Sequence, residues 1–242
     1  IVEVGNYSPA NPAIRLLKMV EKYGYKNADL FVSALPKADE HIGSIVKKPF
    51  KFHWIPQGVD LNFYKHTQGA ALNDLIPKKE GDFIIGYAGT LGKANALDSV
   101  FKAASALQKT HPAIKFIFIG DGPLKNQFQE TYKNLDNIIF FPTVSKLQLQ
   151  QCFKNIDILI NTWLDIPIYR FGISPNKWID YMYASKPVLV AYSGHDCIID
   201  KAGCGLVVPA ENTKALVDGI IKLSEMPAEE LAKMGEKGKD YL

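Results

Sequence analysis

The chain has 242 residues, which is enough for one large domain or two small ones. Hydrophobic residues make up 47% of it and charged residues 22%, a composition that excludes a disordered protein. The net charge is only +3, and no basic run is longer than a pair, which argues against a nucleic-acid partner. The three cysteines form neither a metal-type pair nor an even disulfide framework, so we expect packing residues in a reducing compartment.

The first quarter of the chain predicts helices that alternate with short strands. In chain order these are a helix at 12–25, a strand at 28–32, a helix at 36–45, a strand at 52–56 and a loop at 57–60. Residues 65–81 are polar and contain glycine and proline, which is typical of a linker. No stretch reaches the length of a membrane span, and the N-terminus lacks both a signal-peptide layout and an initiator Met, so we expect a fragment of a longer protein.

The remainder predicts a regular alternation of strands and helices. Strands are expected at 83–88, 115–119, 138–141, 156–160, 188–190 and 204–208, and helices from Leu97, after Pro123, at 146–154, from Asn176 and at 213–224. This order predicts an α/β fold with a parallel sheet covered on both faces. Ligands of such sheets lie beyond the carboxyl ends of the strands, so the loops at Gly89, Gly120, Pro142 and Gly172 are expected at one rim.

The stretch from Gly172 to Ala191 carries the clearest local signals. Ser174 is expected to cap a helix whose first residue is Pro175, and the helix is expected to reach about Tyr183. A helix that starts after a glycine-bearing loop exposes N–H groups and the positive end of its dipole. The stretch therefore predicts a phosphate site.

The residues PNKWIDYMYASKPVLV in this stretch resemble the segment P-[SN]-K-x-x-[ED]-Y-M-A-x-G-K-P-V of family 4 nucleotide-sugar glycosyltransferases, which have the GT-B fold. The resemblance implies that Ser174, Pro175 and Asn176 face the donor diphosphate and that Asp180 holds the nucleotide ribose. The loop IPQGVD similarly resembles the end of the first GT-B domain. It implies the tail of a truncated N-terminal Rossmann-like domain at 1–64, a linker at 65–81 and a donor-binding domain at 82–242.

The segment Gly89-Thr90-Leu91-Gly92-Lys93 follows a predicted strand. Its glycines would let backbone N–H groups approach an anion, although many strand-to-helix turns are glycine-rich. It does not meet the G-x-G-x-x-G fingerprint, which argues against an NAD enzyme. It resembles the family segment Y-A-G-x-L-G-K-A-x-G-L, which implies donor contacts at Gly89, Thr90 and Gly92 and a diphosphate contact at Lys93. The alternative for Lys93 is a solvated surface lysine.

Lys177 and Asp180 are three residues apart, so an exposed ion pair is the alternative to roles at the diphosphate and the ribose. The family often has a second carboxylate eight residues before Asp180. Gly172 occupies that position here, and Arg170 is a candidate to serve the diphosphate instead.

Two further loops complete the predicted donor cleft. The Gly120-Asp121-Gly122-Pro123 loop resembles the family's G-x-G-P, which implies that Gly122 lines the cleft, although a tight turn is the alternative. The same resemblance implies that the backbone at Val144 faces the base.

The sequence thus predicts a retaining glycosyltransferase of capsule or O-antigen type. We expect it to transfer a hexosyl or N-acetylhexosaminyl group. In this interpretation Lys93 and Lys177 are catalytic and act on the leaving diphosphate. The donor would be a UDP- or GDP-sugar and the acceptor a glycan or lipid-linked hydroxyl, with no cofactor and, because no D-x-D pair is present, no metal. We expect a cytoplasmic location, with peripheral membrane contact through the missing domain, and no activity from the fragment alone. The alternatives are a non-catalytic nucleotide-sugar-binding or interaction module and a GT-B nucleotide-sugar epimerase.

Overall fold

A computed structural model describes residues 7–65 and 76–242 of the chain. These residues form two compact units. The first contains the described residues up to Gly58 together with Asp165–Ser174 and Ser193–Cys197, and the second contains the other described residues. The predicted linker at 65–81 has its central part, 66–75, outside the described residues, and the domain division derived from the sequence stays a prediction.

The first unit is small and contains a two-stranded parallel sheet. Its elements are α1 (Pro12–Asn27), β1 (Phe31–Ser33), α2 (Ala38–Val46), β2 (Phe52–Trp54) and a 3₁₀ turn at Pro167–Phe171. Phe31 of β1 lies opposite Phe52 of β2, and Phe31 packs with Ile42 and Val46 in a local core. Because α1 continues to Asn27 with Ala28 as its C-cap, the first strand begins later than the sequence predicts.

The second unit contains a parallel sheet of six strands in the order β5-β4-β3-β6-β7-β8. The strands are β3 (Phe83–Ala88), β4 (Ile114–Ile119), β5 (Ile138–Phe141), β6 (Ile158–Thr162), β7 (Val188–Ala191) and β8 (Gly205–Val208). The helices are α3 (Leu61–Lys65), α4 (Asp98–Leu107), α5 (Lys125–Thr131), α6 (Lys146–Cys152), α7 (Asn176–Tyr183), α8 (Ile198–Ala202), α9 (Thr213–Ser224) and α10 (Ala228–Tyr241). The predicted α/β fold with a parallel sheet and flanking helices is confirmed.

The strand order places a topological switch point between β3 and β6. From β3 the chain adds β4 and β5 on one side, and from β6 it adds β7 and β8 on the other. Strands buried on both faces explain apolar runs such as Ile114–Ile119, whose side chains are almost all buried. The crevice beyond the carboxyl ends of the strands at such a point is where open α/β sheets bind ligands.

The predicted capping of α7 is wrong by one residue. The helix begins at Asn176, and Pro175 occupies the N-cap position with an extended ψ of 127° and no side-chain cap. Because Pro175 is itself extended, Ser174 lies one residue before the cap position, and its hydroxyl donates to Gln57 Oε1 at 3.4 Å. Similarly, a 3₁₀ turn at Phe153–Asn155 follows α6, so β6 starts two residues later than predicted.

Three helices were not predicted from the sequence, namely α3, α8 and α10. The longest of them, α10, carries little apolar surface, and it packs closely through glycines. A Cβ at Gly235 would collide with the carbonyl oxygen of Ser185. Within the described residues, no helix is both long and apolar enough to span a bilayer.

Ser185 follows the C-cap of α7 and has a left-handed φ of +53°, where the family segment has glycine. We predict that Ser185→Gly raises the free energy of unfolding by about 0.5–1 kcal/mol, because glycine adopts this conformation without strain. Thermal and urea denaturation measure the change. Gly203→Ser is the matched control, since Gly203 has a φ of +61°, a Cβ there would make only van der Waals contact with Lys237, and the variant should lose a similar amount. An unchanged or lower stability of Ser185→Gly would contradict the strain argument.

Candidate functional site

A cavity of about 650 Å³ lies at the carboxyl ends of β3, β4 and β5, beside the N-terminus of α7. This volume is in the usual range for a small-molecule site. Its lining residues are Ala88, Gly89, Thr90, Asn95, Ile119, Gly120, Asp121, Thr143, Val144, Leu149, Pro175, Asn176, Lys177, Asp180 and Tyr181. The strand-end loops at Gly89 and Gly120 thus meet at one rim of this unit's sheet, as the alternating strand pattern predicts.

The two glycine loops lie against each other backbone to backbone. The N–H of Leu91 donates to the carbonyl of Asp121 at 2.8 Å, and a Cβ at Gly120 would collide with the carbonyl oxygen of Gly89. Gly120 has a φ of +143°, so both the space and the backbone conformation require glycine.

This loop contact changes the role that the sequence suggests for the glycine amides. The N–H of Gly89 donates to the carbonyl of Ile119 at 3.0 Å, and the N–H of Gly92 donates to the carbonyl of Thr90 at 3.1 Å. Both amides are thus engaged within the protein, and the expected approach of this loop's N–H groups to an anion stays a prediction.

The ammonium of Lys177 enters the space that Gly89 leaves open. A Cβ at Gly89 would lie 3.3 Å from Lys177 Nζ. Nζ donates to Asn95 Oδ1 at 3.0 Å and to the Tyr87 hydroxyl at 3.4 Å, and it lies 4.8 Å from the centre of the Tyr87 ring. Burial lowers the pKa of Lys177 from 10.5 to about 8. Among the described residues, no carboxylate forms an ion pair with Lys177, so the alternative of a surface pair with Asp180 is wrong.

Asn95 is itself held in place by the protein. Its side-chain amide donates to the carbonyl of Thr90 at 2.9 Å, and its own carbonyl accepts from the hydroxyl of Thr162 at the end of β6. These bonds direct the remaining side-chain oxygen of Asn95 towards Lys177. The cation is therefore fixed by neutral oxygen atoms alone.

The N-terminus of α7 has open hydrogen-bonding capacity. Its first turn has no side-chain cap, and the N–H of Trp178 donates to the carbonyl of Pro175 at 3.2 Å. Over the ranges 7–65 and 76–242, no oxygen is found to accept from the N–H groups of Asn176 and Lys177. Two amides, a helix dipole and an ammonium thus converge on one wall of the cavity, which suits a phosphate group.

Asp180 lies one turn further along α7 and is 7% exposed. Its Oδ1 accepts a hydrogen bond from the Tyr64 hydroxyl at 2.6 Å and lies 3.1 Å from Lys146 Nζ. Sequence reasoning missed both partners. Tyr64 is separated from Asp180 by 116 positions, and no periodicity or motif links them.

Several predicted site residues lie outside the cavity lining. Lys93 is exposed in a 3₁₀ turn, and neither Gly92 nor Gly122 is among the lining residues, whereas Val144 and Pro175 are. Arg170 and Ser174 belong to the other compact unit. The donor contacts predicted for all of these residues stay predictions.

Arg170 and Gly172 have structural roles within their own unit. The guanidinium of Arg170 stacks on the ring of Phe171 at 4.6 Å. Gly172 has a φ of +94°, and a Cβ there would lie 2.6 Å from Pro36 Cδ, so a glutamate does not fit this backbone. A residue with a side chain at this position would need a different local backbone conformation or a shift of Pro36.

The sheet order and its switch point define a doubly wound α/β unit with parallel strands. Residues 73–241 match the family model for glycosyl transferases group 1, and the chain therefore belongs to that family. A curated relative, the alpha-monoglucosyldiacylglycerol synthase of Acholeplasma laidlawii, is 22% identical over 226 residues, which cover 90% of this chain and 54% of that protein. The chain thus spans about half the length of the curated relative.

Solved structures share the fold at low sequence identity. The sucrose-phosphate synthase of Thermosynechococcus elongatus has a TM-score of 0.72 and 18% identity, over 98% of this chain and 58% of that one. Anabaena HepE, solved with UDP and glucose, has a TM-score of 0.67 and 16% identity, over 96% and 63%. TarM of S. aureus, solved with UDP, has a TM-score of 0.68 and 17% identity, over 92% and 43%.

Lys177 makes the stability of the protein depend on pH. Between pH 8 and 10.5 the unfolded chain keeps a proton that the folded protein has lost, so the free energy of unfolding rises with pH in this window. We predict that Lys177→Met is more stable than the wild type at pH 7 by roughly 1–3 kcal/mol, because methionine carries no charge to desolvate. The difference should shrink towards pH 10.5.

Urea denaturation at pH 7, 9 and 10.5 measures this difference, and Lys102→Met on the exposed surface of α4 is the control. A methionine variant that is less stable at pH 7, or a difference that does not change with pH, would show that the ammonium is not desolvated.

Proposed function

We propose that the chain is the donor-binding part of a retaining, family 4 glycosyltransferase that uses a UDP- or GDP-sugar. The observation that carries this proposal is the Lys177 ammonium, which is largely buried in the cavity wall with no carboxylate partner among the described residues. A buried charge without a counter-ion destabilises a protein, so such a group is typical of a site that an anion completes. The diphosphate of the donor is that anion.

The proposed chemistry follows from the position of the charges. When the sugar leaves, negative charge develops on the diphosphate, and catalysis requires donors already aimed at it. Asn176 and Lys177 contribute two backbone amides, and the Lys177 side chain adds a cation. Lys93, exposed in the turn after the Gly89 loop, is the second proposed cation. No proton transfer from the protein is required for the diphosphate to depart.

Asp180 is the proposed ribose acceptor. Residues three apart on a helix share a face, so Asp180 follows Lys177 along the same wall of the cavity. A carboxylate accepts hydrogen bonds from neighbouring hydroxyls, and such buried polar sites reject analogues that lack those hydroxyls. The base would then lie towards Thr143 and Val144, which line the same cavity.

The acceptor and the biological role are proposed from the relatives. The curated relative is named as a glucosyldiacylglycerol synthase, and the similar structure of WaaG is described as a glycosyltransferase of lipopolysaccharide biosynthesis. We therefore propose a glycan or lipid-linked acceptor and a role in bacterial surface polysaccharide synthesis at the cytoplasmic membrane face. Residues 1–64 would be the end of an acceptor domain and 82–242 the donor domain. The chain alone would then be inactive in transfer.

Lys177→Met is predicted to weaken the binding of UDP or GDP at least tenfold, because the diphosphate loses its buried cation. Isothermal calorimetry at pH 7 measures the affinity, with NAD as a nucleotide that should not bind. Lys102→Met is the matched control and should bind normally, and Lys93→Met should lose about threefold because Lys93 is solvated. If Lys177→Met binds the nucleotide with unchanged affinity, the diphosphate does not bind beside Lys177.

Asp180→Ala is predicted to keep the fold and to weaken nucleotide binding at least tenfold, while pyrophosphate alone binds no more weakly than it does to the wild type. Calorimetry with UDP, GDP and pyrophosphate separates the two effects. Asp218→Ala, which removes an exposed carboxylate paired with Lys214, is the control. Equal losses for nucleotide and pyrophosphate would argue against a ribose contact at Asp180.

A further inference from the structure

The carboxylate of Asp180 is held by a cluster that nothing in the proposed reaction requires. Tyr64 is 2% exposed, and its ring stacks on Tyr183 with 4.1 Å between ring centres and 26° between planes. Its hydroxyl donates to Asp180 Oδ1, and Lys146 Nζ lies over the Tyr64 ring at 5.2 Å from its centre. One carboxylate oxygen is thus engaged by a hydroxyl and an ammonium together.

Tyr64 reaches Asp180 because a short helix immediately follows the loop at 57–60. Asp60 begins this helix, since its side chain accepts from the N–H of Asn62 at 2.9 Å and its carbonyl accepts from the N–H of Phe63 at 3.2 Å. The aromatic stack with Tyr183 then fixes the ring against the last turn of α7. The loop that resembles the end of the first GT-B domain therefore leads directly into a contact with the proposed ribose acceptor.

The proton between the two groups belongs to Tyr64. Burial, and the hydrogen bond to Asp180, raise the pKa of Tyr64 well above its ordinary value. The hydroxyl is therefore a donor throughout the physiological pH range, and the carboxylate is the acceptor. This arrangement leaves the second carboxylate oxygen as the acceptor for a ligand.

Lys146 partly neutralises the negative charge of the Asp180 carboxylate. Its ammonium lies 3.1 Å from Oδ1 and 5.4 Å from the centre of the Phe63 ring, and its side chain is 46% exposed. Asp180 and Lys177 line the same cavity. An Asp180 carboxylate without a nearby cation would repel a diphosphate bound at Lys177. Pairing with Lys146 reduces that repulsion.

We propose that Tyr64 and Lys146 are positioning residues that hold the Asp180 carboxylate in one orientation and thereby set the discrimination between ribose and deoxyribose nucleotides. This inference rests on the proposed nucleotide function. A carboxylate on a helix has several side-chain orientations, and holding it by Oδ1 selects one of them before the ligand arrives. Without the Tyr64 hydroxyl the carboxylate turns more freely and accepts from ribose less well.

The test is the ratio of two dissociation constants, that of 2′,3′-dideoxy-UDP divided by that of UDP, measured by calorimetry together with pyrophosphate. GDP and its dideoxy analogue replace the uridine pair if GDP binds more tightly. The wild type should favour the ribonucleotide at least tenfold. Tyr64→Phe keeps the aromatic ring and should lower this ratio at least threefold, by weakening UDP while pyrophosphate binding stays constant.

Two further variants keep the test decisive. Lys146→Met should also lower the ratio, and because its charge is lost it should weaken pyrophosphate as well, about twofold at low salt. Lys146 is partly exposed, so this variant is expected to fold even if Tyr64→Phe does not. Leu61→Ala changes an exposed residue of the same short helix and should leave every constant unchanged.

The outcomes separate the inference from the function on which it rests. A wild type that binds neither UDP nor GDP, or that does not distinguish the dideoxy analogue, overturns the proposed nucleotide or ribose function itself. If the wild type discriminates and both variants keep its ratio, the positioning roles of Tyr64 and Lys146 are wrong while the function stands. A lower melting temperature with an unchanged ratio has the same meaning, because it assigns these residues to stability alone.

Discussion

The site depends on one largely buried cation, Lys177, which no carboxylate among residues 7–65 and 76–242 neutralises. Lys177 Nζ is held by the side-chain oxygen of Asn95 and the hydroxyl of Tyr87, and burial lowers its pKa to about 8. Both partners are neutral, so the positive charge remains available to a ligand. Desolvating an ammonium costs free energy. In this protein the desolvated ammonium lies beside the first amides of α7, which face the same cavity.

The rest of the second unit makes this arrangement possible. The strand order opens a crevice beside β3, and the two glycine loops close one side of it by backbone contact. Gly89 has no side chain, and the ammonium of Lys177 lies against it. The glycines of this loop thus act by giving space to a cation, and their own N–H groups are engaged within the protein.

Local signals in the sequence predict much of this fold but not the identity of the site cation. Apolar runs and proline positions predict β3, β5 and the extent of α9 as they are observed. In contrast, Lys93 and Lys177 both follow predicted strand-end loops, and their local sequences do not tell which one is buried. That choice depends on the space beside Gly89 and on the orientation of Asn95, which are both tertiary features.

The resemblance to the family identifies Asp180 on α7 but not the residues that contact its carboxylate. Tyr64 and Lys146 reach Asp180 from distant parts of the chain, so neither is visible in the motif around it. Departures from the family pattern have physical explanations once the backbone is known. At Gly172, where the family often has a glutamate, Pro36 occupies the space that a Cβ would need. Ala96 and Ser185 replace glycines and retain left-handed φ values of +44° and +53°.

The α10 helix shows a different limit of sequence reasoning. Leu231 is its one large buried apolar side chain among the described residues, so its apolar face is small. It packs instead through Gly235 and Gly238, where a side chain would meet the carbonyl of Ser185 or the side chain of Cys204. Close packing of this kind needs few large apolar side chains, so a buried helix face of this type is easily overlooked in the sequence.

The most direct measurement of the central claim is a crystal structure of the chain with bound UDP or GDP. The account predicts a diphosphate oxygen within about 3 Å of Lys177 Nζ and of the N–H of Asn176. A nucleotide bound at another surface, with the Lys177 ammonium still donating to Asn95 and no anion beside it, would contradict the account.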